Sequence, residues 1–177
     1  MSPTADFVLT AEDLRTVTRF ALASAEEVIE IFERHVPEDV RPREAVGAAR
    51  AFASGAPRGK LQRIASIQAH RAAREATDES ATHAAAAAGD AAASAYLHPL
   101  AQATQVGHIL PASAHAARAL ELDAGDPEAG LAAMERARTR ATPLLRDILG
   151  RYPSAPAGTN PVARLMATLD ADLRTDP

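Results

Sequence analysis

The stretch from Ala81 to Ala95 contains ten alanines in fifteen residues, and it limits what the chain can build. Ala is the strongest helix former and carries almost no side-chain bulk, so a run of this kind makes a helix. Helices faced with Ala can approach near the short end of the ~8–10 Å interaxial range. About a quarter of the chain is Ala, aromatic residues make up 3% and Trp is absent. Thin, closely packed helices are therefore expected throughout. The hydrophobic fraction of 47% still supplies a core and is far from the disordered class.

Helix signals run the length of the sequence. Thr10 followed by Asp13 is close to a capping box. Leu14, Val17, Ala21, Val28 and Phe32 then mark one buried face as far as Val36, and Pro37 ends the helix. Pro42 suits the first turn of a second helix reaching Ser54, with Gly55 at its C-cap. A third helix covers Lys60–Ala76, with Leu61, Ile64, Ala65, Ile67 and Ala72 as expected core positions. Asp78 or Ser80 caps a fourth, which ends near His98. A fifth spans Leu100–Asp123, kinked at Pro111, and Asp126-Pro127 opens a sixth that bends at Pro143 and reaches Tyr152. Asn160-Pro161 starts the last, with Val162, Leu165, Met166, Leu169 and Leu173 in one stripe and fraying expected in the final residues. No segment alternates with period two in β-branched residues. The expectation is an all-α fold: one compact antiparallel bundle or array of about seven helices. It forms a single domain over 1–177, ordered from about 8 to 174.

Several function classes drop out. There is no Cys, so disulfides, thiolate nucleophiles and Cys-ligated metals are excluded. The net charge of −4 argues against nucleic-acid binding. All basic residues but Lys60 are Arg, which suits ion-pair networks with the 23 acids. The opening MSPTADFVLT has neither a basic nor an apolar signal-peptide region, and the Ala run is too short to span a bilayer, so a cytoplasmic protein is expected. There is no P-loop, G-x-G-x-x-G, G-x-S-x-G or H-E-x-x-H. Neither a cofactor nor a metal is expected.

Three clusters carry chemistry. Asp39, Arg41, Arg43 and Glu44 head the second helix, either as a clamp for an anionic group or partner, or as a structural ion-pair network. His70, Arg74 and Glu75 lie within about one turn of each other, His70 as a base, a ligand or a packing residue. Asp90, Ser94 and His98 repeat every four residues, and Gln102, Gln105, His108 and His115 follow. Polar groups among packed alanines must satisfy one another or line a pocket. Asp90, His98 and His108 are the candidate catalytic groups. Asp90 and His98 are about 12 Å apart along one helix axis, which is wrong for a hydrolytic triad.

The stretch Asp39-Val-Arg-Pro-Arg-Glu-Ala-Val-Gly-Ala-Ala-Arg50, then Ala69-His-Arg-Ala-Ala-Arg-Glu75, then Ala88-Gly-Asp-Ala-Ala-Ala93 resembles the Imm-5-like family of immunity proteins found near bacterial polymorphic toxin systems. The likeness extends over roughly residues 10–125. Where many members have His after the Gly of the Ala-rich helix, this chain has Asp90. The resemblance implies a protein that docks a toxin and blocks it. Arg41, Arg43 and Arg74 are candidate contacts, and Asp39, His70, Asp90, His98, Gln105 and His108 complete the set of binding candidates. The rival reading is a small helical enzyme or ligand-binding protein with a pocket at Asp90, His98, Gln105 and His108. A homo-oligomer joined through the last helix is the third.

Overall fold

The computed structural model describes residues 6–175, so the fraying expected at the last two residues lies outside them. Among the described residues there are eight α-helices, two 3-10 segments and no strand. α1 (Ala11–His35) opens on a full capping box: Thr10 Oγ1 accepts the Asp13 N–H and Asp13 Oδ2 accepts the Thr10 N–H, both at 3.0 Å. Val17, Ala21, Val28 and Phe32 are buried as their spacing predicts, while Leu14 is half-buried. α2 (Arg41–Ala53) has Pro42 in its first turn, and Gly55 at φ 115° turns the chain out of it. α3 (Lys60–Glu75) follows.

α4 (Glu79–Ala93) packs against α1, α2, α3 and α5 (Pro111–Ala124) at once. Ala81, Ala84, Ala85, Ala87, Ala88, Ala91 and Ala92 are fully buried. A helix surrounded on all sides is apolar all round, and only a side chain as small as Ala admits so many neighbours. The approach is tightest at the glycines. A Cβ on Gly89 would lie 2.8 Å from the His70 ring of α3. One on Gly130, in α6 (Pro127–Arg140), would lie 3.1 Å from the Ala117 carbonyl of α5.

A second cluster holds the larger side chains. Val17 and Phe20 of α1 meet Leu97, Val106, Ile109 and Leu110 of the irregular stretch after α4. Leu145, Ile148 and Leu149 of α7 (Pro143–Gly150), Tyr152, and Leu169 and Leu173 of α8 (Pro161–Thr175) join them. Leu165 and Met166 also pack onto this cluster, so much of the α8 stripe is used within the chain.

Prolines account for the helices that differ from expectation. α4 stops at Ala93 and tightens into a 3-10 turn, Ser94–Tyr96. The expected fifth helix starts only at Pro111, with Ala103–His108 as a separate 3-10 segment. Pro143 likewise begins α7 instead of bending α6, with Thr142 as its cap. In both places Pro sits in the first helical turn, where its missing N–H costs nothing. The residue before each Pro is disfavoured in helix. This yields eight α-helices instead of about seven.

The inner face of α3 is also different. Leu61, Ile64 and Ile67 are 59%, 56% and 53% exposed, whereas Gln62, Ala65, Ser66, Ala69, Ala72 and Ala73 are buried. The neighbour is the Ala-lined α4, which leaves room for Ala but not for Ile. Gln62 tolerates burial because its amide is satisfied: Oε1 accepts the Gly59 N–H at 3.0 Å and Nε2 donates to the Ala48 carbonyl at 3.1 Å.

Candidate functional site

The Arg groups at the head of α2 are engaged by acids. Arg41 forms a fork with Asp39, its shortest contact 2.6 Å, and reaches Glu75 at the end of α3 at 2.5 Å. The Arg41 guanidinium holds the Asp39 carboxyl below the usual carboxylate range. Arg43 pairs with Glu33 of α1 through two bonds of 2.6 Å. Similar pairs join Arg50 to Glu26, Arg34 to Asp123, and Arg136 and Arg140 to Glu27. They clip neighbouring helices onto α1, each worth about 0–1 kcal/mol at an exposed site.

A polar chain crosses the alanine core. His70 Nε2 of α3 lies 3.3 Å from Asp90 Oδ1 of α4, and His115 Nε2 of α5 lies 3.7 Å from Asp90 Oδ2. The His115 Nδ1 is 2.8 Å from the Nδ1 of His83, so one ring donates to the other. His83 Nε2 is 3.9 Å from Glu79. Burial holds both imidazoles below their ordinary range, His83 at about 4, so both are neutral near pH 7. Gly89 is what lets His70 lie against α4. Asp90 Oδ2 is buried without a hydrogen bond. Among the described residues no group of three His, Asp or Glu side chains is arranged to hold a metal ion.

His98 and His108 belong elsewhere. With Arg63, Ser66, Ile67, Ala93 and Tyr96 they line a cleft of about 410 Å³ between α3 and the Ala103–His108 segment. Asp90 and Gln105 do not line it. Gln105 instead pins the loop, its Oε1 accepting the His98 N–H at 2.9 Å. Ser94, expected beside Asp90 and His98, is buried, donates to the Ala91 carbonyl at 2.7 Å and shares a hydroxyl–hydroxyl bond of 2.8 Å with Thr18 of α1. The expected four-residue pocket is thus split: Asp90 joins His70 and His115, while His98 joins His108.

The outer face of α3 carries a feature of which the sequence singled out only Arg74. Lys60, Arg63, Arg71 and Arg74 are exposed and have no acid partner among the described residues. They repeat at helical spacing with Ile64 and Ile67, so basic and apolar side chains share one face. That spacing was legible once the face was known to point outward.

A family model described as Imm-5 like putative immunity protein matches residues 8–144. The chain belongs to this family. The match takes in α1 through α6 and the first residues of α7, hence both the polar chain and the α3 face of this Imm-5-like protein. No curated protein and no solved structure matches it. Among its described residues no helix is long and apolar enough to cross a membrane.

Proposed function

We propose that this Imm-5-like chain neutralises a protein toxin by docking onto it with the outer face of α3. The observation that carries this reading is the set of four basic side chains, Lys60, Arg63, Arg71 and Arg74, left without acids among the described residues of a chain of net charge −4. Elsewhere most arginines are committed to ion pairs, including Arg41 and Arg43, and Arg15 and Arg58 donate to backbone carbonyls. Exposed basic groups around Ile64 and Ile67 make a surface with an apolar centre and a charged rim, the usual anatomy of a docking patch. Arg41 borders it through Glu75. Charge of this kind steers encounter and makes association salt-dependent.

The test is protection in cells that co-express the chain with a cognate toxin. Arg63→Glu/Arg71→Glu is expected to abolish protection. Arg164→Glu, an exposed reversal on α8, is expected to preserve it. Full protection by a folded Arg63→Glu/Arg71→Glu protein would overturn the reading.

A further inference from the structure

The cleft beside α3 is built more firmly than a chance surface depression. Tyr96 is fixed on one wall: its hydroxyl donates to the Gly59 carbonyl at 2.5 Å, and the Arg58 guanidinium sits 5.4 Å from its ring centre. His108 is held by its Nδ1–H, which donates to the Ala93 carbonyl at 3.2 Å. The loop carrying His98 is pinned on both sides, by Gln105 on its N–H and by the Tyr152 hydroxyl on its carbonyl at 2.8 Å. Preorganised walls lower the ordering cost of binding.

What these walls leave open is chemically specific. Ile67, Ala93 and the Tyr96 ring supply apolar and aromatic surface. The His98 imidazole has no hydrogen-bond partner among the described residues, and Arg63 has no acid. The volume of about 410 Å³ is within the range of pockets that take a whole ring. Flat rings pack well against other rings and carry much of the energy at interfaces. Arg63 lines the cleft, and Lys60 and Arg71 lie on the same exposed face of α3 at helical spacing from it, so carboxylates beside such a ring are favoured.

We infer that the cleft between α3 and the Ala103–His108 segment seats one aromatic side chain of an acidic segment of a protein partner, whose carboxylates rest on Arg63 and its basic neighbours. This rests on the docking reading above and names the chemistry of the docked segment.

The probes are three capped peptides titrated into the full-length protein up to millimolar concentration: Glu-Glu-Phe-Glu-Glu, Glu-Glu-Ala-Glu-Glu and Lys-Lys-Phe-Lys-Lys. A thymidine oligonucleotide serves as a polyanion without carboxylates. Binding is read from amide and side-chain NMR shifts. The acidic Phe peptide is expected to move Ile67, Tyr96, His98 and His108. Its Ala counterpart should bind roughly tenfold more weakly, the loss of one anchoring ring. The basic peptide should not bind. Arg63→Glu should remove the response, and Ile67→Glu should do the same without touching a basic group.

Four results would overturn the inference. These are no shift with the acidic Phe peptide, equal binding of the Phe and Ala peptides, tighter binding of the oligonucleotide at the same residues, and shifts explained by self-association in sedimentation. The docking reading fails separately, in the protection assay. If Arg63→Glu/Arg71→Glu loses protection but Ile67→Glu keeps it, docking stands and the aromatic seat falls.

Discussion

Gly89 sets two local effects against each other. In a helix Ala is better than Gly by about 1 kcal/mol. At this position, however, a Cβ meets the His70 ring at 2.8 Å. The ring is the free end of a one-third-exposed side chain, so it swings away from Asp90 instead of straining the backbone. Gly89→Ala is therefore expected to gain less stability in the parent than in a His70→Ala background, where the full ~1 kcal/mol appears. Equal effects in both backgrounds, measured by urea unfolding, would show that the contact does not couple them. His83 and His115 give a second prediction. Their imidazoles are depressed below the ordinary value near 6.5, His83 to about 4. The unfolded chain thus binds more protons between these limits, and stability falls as pH drops through 6.5 towards 4. The urea midpoint should be lower at pH 5 than at pH 7, and His83→Gln should flatten that fall. An unchanged slope would contradict the account. Asp90 stood out in the sequence as an acid among alanines. His70 and His115 were named too, but not their pairing with Asp90, because helical spacing identifies a face without saying which neighbouring helix meets it. His83 lies seven residues before Asp90, two turns along the same face, and that was the signal available for it.

At the scale of the element, α3 and α4 show how a neighbour decides which face is the inside. Both long faces of α3 have helical periodicity, one with Leu61, Ile64 and Ile67 and one with Ala65, Ala69, Ala72 and Ala73. General hydrophobicity favours burying the larger set, and the structure buries the smaller one because α4 has no space for branched side chains. Ala87, fully buried in α4, measures this constraint. Ala87→Leu is expected to cost about 1–3 kcal/mol by overpacking. Ile67→Glu should change stability by less than about 0.5 kcal/mol, as exposed positions do. The reverse order in chemical denaturation would mean that α3 presents its aliphatic face to the core. A helix start was legible at Asp126-Pro127, where the cap and proline follow a helix-ending Gly125. Pro111 and Pro143 were read as kinks because no such glycine precedes them, although Thr142-Pro143 carries the same cap-and-proline pair.

On the scale of the whole molecule, an acidic chain keeps one basic face. Ion pairs consume arginines around α1 and α2, while α3 and the adjoining cleft remain open to a partner. Membership of the Imm-5-like family suggests a toxin as the partner, and the docking we propose places it on this face. The motif at residues 39–50 pointed to the family, yet its arginines are tied up in structure. The family motif and the proposed docking face are therefore separate parts of this chain. Hydroxyl-radical footprinting of the chain with a cognate toxin tests the account most directly, since it reads side chains one at a time. Leu61, Ile64, Ile67 and Tyr96 are expected to lose reactivity in the complex, with Leu131 on α6 unchanged. Loss of reactivity at Leu131, with the α3 side chains still fully reactive, would contradict it.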